Sequence, residues 1–189
     1  MQVTQNRYSL KEYLERETTA EFRSEYRDGE IIPMTGGTVN HNYIAINLTS
    51  GLKYGLKGQP YRVFMSDLRL SIPTKNIYTY PDVMVIATPV VYVEGRRDTI
   101  INPQIIVEVL SRSTESYDRG QKFEYYRRVN SLREYILIDQ YRYYVEQFSK
   151  TEDDKWLLSE YQGDESVLSL SSVEFQISLS EIYENVEFE

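Results

Sequence analysis

A mixed α/β fold is predicted by the order in which two hydrophobic patterns alternate along the chain. Segments with apolar residues at helical spacing are followed by short runs typical of strands, in the order helix, strands, helix, strand. The length of 189 residues and the composition, 41% hydrophobic and 26% charged, are typical of a globular domain with a sizeable core. Because no repeat, linker or low-complexity stretch interrupts the pattern, we expect one domain spanning residues 1–189.

The N-terminal part of the chain predicts a helix followed by a β-hairpin. Ser9 and Glu12 match a capping box, in which each side chain satisfies an exposed backbone N–H of the other residue. A short apolar stripe then ends near Glu17, where we expect the helix to end. The dipeptide Asp28-Gly29 stands between two strand-like runs, and it accepts the positive φ angles that a two-residue hairpin turn requires.

The remainder of the chain predicts two longer helices, a series of strands and a short closing helix. Apolar residues at every fourth position, Ile44, Leu48 and Leu52, mark the inner face of the first of these helices. The expected elements are a helix over 40–56, strands over 61–65, 68–72 (separate from the preceding strand or continuous with it), 80–87 and 104–111, a helix over 115–128, strands over 134–139, 143–149 and 156–161, and a helix over 179–183.

Composition excludes several classes of chemistry. Without any Cys there is no disulfide, no thiolate nucleophile and no zinc site of the Cys type. The single histidine, His41, rules out a metal site built on two histidines of one chain. Carboxylates, Lys, Arg and the eighteen Tyr therefore form the chemical repertoire.

Charge and hydropathy narrow the expected location and partners. The formal net charge of −8 argues against a protein that coats nucleic acid through bulk electrostatics, although it allows an enzyme with a local basic cleft. No apolar stretch has the length of a signal peptide core or of a membrane span. We therefore expect a cytoplasmic protein with no membrane partner, and no protein partner is indicated.

Two acidic residues stand at apolar strands, where a charge is costly. Glu108 lies in a run whose alternating faces are otherwise apolar, so the strand is expected to be central and buried on both sides. Asp82 follows Pro81 and leads directly into another apolar run. Each has a structural alternative: Glu108 in a buried ion pair or near the open end of its strand, and Asp82 as a capping residue. Together they are typical of a site for a hard divalent cation.

Lys122 is the third candidate. It follows Asp118 by four positions on the predicted helix, which favours an ion pair on one helix face. Taken alone, this spacing favours a solvated surface pair over a functional one.

At this point the residues resemble a known family. The segments that carry the resemblance are Pro81-Asp82, Glu108-Val-Leu-Ser111, Ser113-Thr114, Asp118, Lys122 and Arg133-Glu-Tyr-Ile-Leu-Ile-Asp139, together with the upstream segments E-Y-R-D-G-E-I-I-P-M-T-G-G-T-V-N-H-N-Y-I and S-D-L-R-L. In this order they are similar to the Uma-two family of proposed restriction endonucleases, formerly a domain of unknown function. The family belongs to the restriction-endonuclease-like superfamily, whose signature is Pro-Asp followed by Asp or Glu, any residue and Lys.

The resemblance implies a fold and a set of roles. It implies a restriction-endonuclease-like core, a central mixed sheet flanked by helices, preceded here by the N-terminal helix and hairpin. Asp82 and Glu108 would hold Mg²⁺, one or two ions, with the carbonyl of Val109 as a further ligand. Lys122 would orient or help deprotonate the attacking water and stabilise charge on the scissile phosphate of DNA. The sequence departs from the superfamily pattern at Leu110, because the usual Lys is absent from this position. In the family pattern that Lys lies on the following helix, which is the place of Lys122.

Other residues have more modest indications. The resemblance implies that His41 could contact phosphate or a water near the metal. An equal alternative is that His41 only forms a hydrogen bond with the backbone at the helix start. Glu25 lies near the family's Glu-Tyr pair, and the resemblance implies a place for it close to the metal. The tyrosines of segment 141–144 could stack on bases, although alternate tyrosines on a strand more often pack a sheet or a dimer interface.

Three hypotheses for function remain. The favoured one is a Mg²⁺-dependent DNA endonuclease that hydrolyses phosphodiester bonds. The alternative is a catalytically inactive member that keeps the fold, binds nucleic acid or protein, and uses the same residues as a buried ion network. A small-molecule hydrolase using His41 with a serine is disfavoured, because no G-x-S-x-G motif is present. The tyrosines of segment 141–144 allow two arrangements, which we expect equally. A homodimer through the C-terminal half would cover them, or strand 156–161 and the last helix would cover them within one chain.

Overall fold

The structure, a computed structural model, describes residues 7–34 and 36–188. Its elements follow the predicted alternation of helices and strands. In chain order they are α1 Leu10–Thr19, β1 Ser24–Arg27, β2 Glu30–Pro33, α2 Val39–Gly55, β3 Tyr61–Met65, β4 Arg69–Ile72, β5 Ile77–Thr79, β6 Val83–Ala87, β7 Thr99–Ile100, β8 Ile105–Leu110, α3 Glu115–Tyr117, α4 Phe123–Tyr126, β9 Glu134–Asp139, β10 Tyr144–Lys150, β11 Trp156–Gln162, β12 Val167–Leu170, β13 Phe175–Ser178 and α5 Leu179–Ile182.

The N-terminal helix and hairpin are both confirmed. Ser9 Oγ accepts the backbone N–H of Glu12 at 3.3 Å, and the Glu12 carboxylate accepts the backbone N–H of Ser9 at 2.7 Å. The hairpin β1–β2 turns at Asp28 and Gly29, whose φ angles are 43° and 100°. Helix α1 continues to Thr19, two residues beyond the predicted end. Glu17, in the last turn of this helix, is buried and accepts the backbone N–H of Ser24 at 3.0 Å.

A six-stranded mixed sheet forms the centre of the molecule, in the order β11-β10-β9-β8-β6-β3. Strands β8 and β9 are parallel, and every other pair in this sheet is antiparallel. All six residues of β8 are buried, which confirms the prediction of a central strand. Its inner position follows from its two apolar faces, since a strand buried on both sides leaves no polar side for solvent.

Helices and apolar side chains cover both faces of this sheet. On one face α2 packs through Ile44, Leu48 and Leu52 against alternate residues of β6, β8 and β9. On the other face the complementary residues of these strands pack against α4, through Tyr126, and against the second sheet. The central mixed sheet flanked by helices is therefore confirmed.

A second sheet has five strands in the order β2-β1-β5-β4-β7. Segments 61–65 and 68–72, predicted as one bent strand or as two, are two separate strands, β3 and β4, which belong to different sheets. Strands β5 and β7 were not predicted, and segment 80–87 is strand only from Val83. These short strands show no alternation of apolar and polar residues that would predict them. In β5, for example, tertiary pairing buries three consecutive residues.

The predicted helix over 115–128 is interrupted. Helices α3 and α4 are short, and a π-helical turn over Asp118–Lys122 joins them. Gly120 lies at the centre of this turn, and a Cβ added there would meet no atom within 4 Å. A π turn adds one residue to a helical turn and is frequent at functional sites.

The C-terminal part covers Tyr143, which lies just before β10, within the chain. Strand β11 pairs along the outer edge of β10, and the Tyr143 ring packs 4.9 Å from the rings of Tyr183 and of Phe188. The intrachain alternative is therefore observed for Tyr143, whereas Tyr141 is 39% exposed. The hairpin β12–β13, which was not predicted, packs on the α2 side of the central sheet.

No helix within residues 7–34 and 36–188 has the length and apolar character needed to cross a bilayer.

Candidate active site

A buried group of four carboxylates and one lysine lies where the two sheets meet, and we call it the acidic cluster. Its members are Glu25 of β1, Asp82 just before β6, Glu108 of β8, and Asp118 and Lys122 of the π turn. The register of β6 with β8, Val83 opposite Val107, continues to bring Asp82 level with Glu108. Strand pairing and the π turn thus gather residues that are widely separated in sequence.

Lys122 is at the centre of the cluster. Its Nζ lies 3.0 Å from Glu108 Oε1, 2.9 Å from Asp118 Oδ1 and 4.0 Å from Glu25 Oε1. Its side chain is only 11% exposed, so the expectation of a solvated surface pair with Asp118 was wrong. The π turn directs both side chains inward against β8. Burial lowers the pKa of Lys122, but the neighbouring carboxylates outweigh it and raise the pKa well above its ordinary value.

Glu108 is held by a tyrosine as well as by the lysine. The hydroxyl of Tyr126, a fully buried residue of α4, donates to Glu108 Oε1 at 2.6 Å. Burial outweighs the opposing charge of Lys122 and raises the pKa of Glu108 to about 8, assisted by Asp82 and Asp118. The charge of Asp82 adds to this rise in pKa because two nearby carboxylates repel each other.

Asp82 is fixed by two donors from different elements. Its Oδ2 accepts the backbone N–H of Val109 at 2.8 Å and lies 3.1 Å from His41 Nε2. His41 thus contacts a side chain of the site and not only the backbone. Burial lowers the pKa of His41, but the hydrogen bond and charge of Asp82 outweigh it, and the pKa is raised. The N-cap Thr38, whose Oγ1 accepts the backbone N–H of His41, starts α2 where the imidazole reaches Asp82.

Glu25 approaches the cluster from the second sheet. Its carboxylate accepts a hydrogen bond from Thr79 Oγ1 and pairs with Arg27, and Lys122 is the third neighbour. Burial raises the pKa of Glu25, but these three partners outweigh it and the pKa is lowered. Glu25 is therefore an ionised member of the cluster, held on the side of Lys122 that faces β1.

The charges and donors of the cluster suit a hard divalent cation. Four carboxylates, those of the acidic cluster, face two permanent cations, Lys122 and Arg27. Buried Asp118 Oδ1 receives no hydrogen bond of acceptable geometry, although Lys122 Nζ is in contact with it. Within residues 7–34 and 36–188 no three acidic or histidine side chains form a ready-made metal cage. Mg²⁺ typically uses only one or two carboxylates, with water and phosphate completing its coordination.

The structure brings together all of the residues that the sequence singled out. Asp82, Val109, Glu108, Lys122, His41 and Glu25 lie in one region. Sequence reasoning assigned no site role to Asp118 and Tyr126. The signal was present, because positions 118, 122 and 126 recur at a spacing of four and therefore share one helix face.

Comparisons with known proteins show which family this chain is similar to. Residues 10–180 match the model of the family described as "Uma2: Putative restriction endonuclease". Two uncharacterised proteins of Synechocystis sp. are similar over most of their length. Protein sll1609 is 42% identical over 160 residues, 85% of this chain and 90% of that protein. Protein slr1290 is 35% identical over 182 residues, 95% of this chain and 93% of that protein.

A solved structure shares the fold. It is the crystal structure of a "putative nuclease belonging to DUF820" from Anabaena variabilis, which superposes with a TM-score of 0.72 at 19% sequence identity. The match covers 87% of this chain and 91% of that one. Because the family model spans most of the chain and both relatives exceed 30% identity, the chain belongs to the Uma2 family.

Proposed function

We propose that this protein is a divalent-cation-dependent nuclease that hydrolyses phosphodiester bonds of DNA. The observation that carries the proposal is the buried contact of Lys122 with Glu108 beside Asp82, at the end of a central strand. Burial of several charged side chains costs free energy of folding, and such groups concentrate at functional sites. The family description and the nuclease title of the structural neighbour support the same activity.

In this proposal Asp82, Glu108 and the carbonyl of Val109 hold Mg²⁺, as one or two ions. When bound, the cation supplies a lowered pKa for the attacking water and neutralises charge on the scissile phosphate. Asp82 is already oriented for such a role by Val109 and His41, and Glu108 by Tyr126. Fixed carboxylates lower the cost of reorganisation when a cation and a phosphate enter.

Lys122 acts as an electrostatic residue. Its raised pKa keeps the amine protonated at neutral pH, so it donates hydrogen bonds and does not accept the water's proton. From its place beside Glu108 the ammonium orients a water molecule and stabilises the charge that develops on a phosphate oxygen. Of the two roles implied for Lys122 by the family resemblance, orientation with charge stabilisation is therefore retained, and proton abstraction is dropped.

A second function is favoured by the same contacts. Lys122 already forms ion pairs with Glu108 and Asp118, so the acidic cluster could serve as a buried ion network in an inactive member that binds nucleic acid or protein. The two functions differ in what a conservative change does. Asp82→Asn abolishes cleavage in a nuclease, and it leaves nucleic acid binding unchanged in an inactive module.

A homodimer is a further part of the proposal. Strand β11 is one of the two outer strands of the six-stranded sheet, and its Leu157 and Leu158 are exposed by 59% and 46%. Pairing of two such edges would bring two sites into one particle, as cutting of both DNA strands in one encounter requires. Light scattering at micromolar concentration tests this, because a monomer mass would favour nicking of single strands.

The experiment that tests the activity is cleavage of supercoiled plasmid DNA with Mg²⁺ and with EDTA. We expect the wild-type protein to nick or linearise the plasmid only with Mg²⁺. Asp82→Asn and Glu108→Gln should lower the rate by at least about 100-fold. Asp153→Asn, an exposed change in the loop between β10 and β11, is the matched control and should retain the wild-type rate. Wild-type protein that leaves the plasmid intact, or variants that cut as fast as it does, would refute the assignment.

A further inference from the structure

An arginine and a tyrosine form an exposed stacked pair close to the acidic cluster. The guanidinium of Arg112 lies 4.9 Å from the centroid of the Tyr141 ring, and the backbone N–H of Arg112 donates to the Tyr141 hydroxyl at 3.3 Å. The ring of Tyr141 remains 39% exposed, and Arg112 is exposed as well. Two contacts therefore hold this pair in place at the surface.

The pair lies at the same edge of the central sheet as the acidic cluster. Strands β8 and β9 are parallel and in register, Leu110 opposite Asp139, so both end at this edge. Arg112 follows Glu108 by four residues, a separation of about 13 Å at most along an extended chain. The loop that carries Arg112 also presents the hydroxyls of Ser113 and Thr114, which can donate to phosphate.

The charge of Arg112 is not neutralised by the surrounding protein. Within residues 7–34 and 36–188 no carboxylate lies at ion-pair distance from its guanidinium, whereas the nearby Arg142 pairs with Asp139 at 2.9 Å. A planar guanidinium against an aromatic ring is a surface on which bases stack and to which phosphates are attracted.

The acidic net charge of the protein does not oppose this role. Residues 150–189 contain 2 basic and 11 acidic residues, so their net charge is −9. The total of 21 basic and 29 acidic residues therefore leaves 19 basic and 18 acidic residues in 1–149, a net charge of +1. The segment that carries the cluster and the Arg112–Tyr141 pair is close to neutral, and the surplus of acid belongs to the last strands and the C-terminus.

We propose that Arg112 and Tyr141 form a stacking platform for an unpaired nucleotide of a DNA strand whose neighbouring phosphodiester bond enters the acidic cluster. This inference rests on the proposed nuclease function and adds its substrate class, single-stranded or locally unpaired DNA. Bases within a duplex are stacked on each other and cannot use the platform, whereas every unpaired base has a free face for it.

Binding of short fluorescent oligonucleotides in EDTA tests the proposal without cleavage. The wild-type protein should bind oligothymidylate more tightly than a duplex of equal length. Tyr141→Ala should weaken oligothymidylate binding about ten-fold, while Tyr141→Phe, which keeps the ring, stays within about two-fold. Arg112→Gln should weaken binding and reduce the slope of log affinity against log salt by about 0.7. It is a second variant that leaves the tyrosine in place.

The matched control is Tyr54→Ala. Tyr54 is 83% exposed at the far end of α2, about 20 Å along the helix from His41, and its loss should change nothing. Equal affinity of wild type, Tyr141→Ala and Arg112→Gln for oligothymidylate would overturn the platform and leave the plasmid cleavage result untouched. Tighter binding of oligouridylate than of oligothymidylate would overturn DNA as the occupant. A wild-type protein that cuts plasmid DNA with Mg²⁺ but binds oligothymidylate no more tightly than the duplex would overturn the platform alone.

Discussion

Lys122 Nζ lies 3.0 Å from Glu108 Oε1, and this contact joins the π turn after β8 to the middle of the central sheet. The pair brings a cation to the carboxylate from a separate helical turn, although the strand position two residues after Glu108 is occupied by Leu110. A lysine stem can place its charge at a site from several positions of the backbone. The contact is therefore the structural basis for assigning Lys122 to the site.

Removal of the lysine should destabilise the fold. Lys122→Met leaves Glu108, Asp118 and Glu25 buried without their central cation, and breaking a buried pair from one side typically costs about 3–5 kcal/mol. Urea unfolding at pH 7.5 should show this loss. The double variant Lys122→Met/Glu108→Gln should recover part of it, because one of the stranded charges is gone. Additive effects of the two changes would contradict the coupling.

The raised pKa of Glu108 predicts a specific dependence of folding stability on pH. Its pKa is about 8 in the folded protein, against an ordinary value of 4.5, so above pH 4.5 the folded state holds a proton that the unfolded state has released. The stability contributed by this group is complete below pH 4.5 and is lost as the pH rises to about 8.

Glu108→Gln removes that dependence. In EDTA, its melting temperature relative to wild type should therefore rise by about 10 °C between pH 5 and pH 8, as followed by circular dichroism. Glu174→Gln, a change at an exposed position, is the control and should melt in parallel with wild type. Parallel curves for Glu108→Gln as well would show that Glu108 titrates normally.

His41 should act as a positioning residue for Asp82. His41→Ala removes one of the two donors at Asp82 Oδ2 and should weaken Mg²⁺ affinity about ten- to a hundred-fold, while His41→Gln restores part of it. Gly37→Ala should reproduce the defect, since its added Cβ would lie 2.9 Å from His41 Nδ1 and displace the imidazole. Calorimetric Mg²⁺ affinities measure both effects, and unchanged values would limit His41 to a structural contact.

A second buried carboxylate should affect stability only. Glu134 is fully buried at the start of β9 and accepts hydrogen bonds from Gln147 and from the backbone and hydroxyl of Ser172. Its partners satisfy it and tie β9 to the loop between β12 and β13. Glu134→Gln should cost about 2 kcal/mol in urea unfolding and leave the plasmid cleavage rate of the folded protein unchanged. A loss of cleavage without a loss of stability would contradict this structural role.

Much of the fold could be predicted because its long elements have strong local signals. The capping box of α1, the Asp28-Gly29 turn and the apolar run of β8 each reflect physics within a few residues. Strand β5 lacks such a signal, since pairing with β1 and β4 creates it, and the hairpin β12–β13 forms a separate two-stranded sheet that packs on the α2 side. The assignment of β3 and β4 to different sheets is likewise a property of tertiary pairing.

Some residues of the candidate site could likewise be predicted from the sequence, and others could not. Glu108 and Asp82 could be predicted from the sequence, because a carboxylate beside or within an apolar strand is costly to bury and therefore indicates a special role. Burial of Lys122 could not, because the spacing from Asp118 is equally typical of an exposed helix face. The inward direction of this pair arises from the π turn, and helical periodicity does not indicate where a helix widens.

Titration calorimetry of the protein with MgCl₂ tests the central claim, that Asp82 and Glu108 hold a divalent cation, most directly. The wild-type protein and Asp153→Asn should bind Mg²⁺ saturably with equal affinity. Asp82→Asn and Glu108→Gln should each bind it at least about ten-fold more weakly, because a hard cation loses a charged oxygen ligand. An absence of saturable binding by the wild-type protein, or equal affinity in all four proteins, would contradict the account.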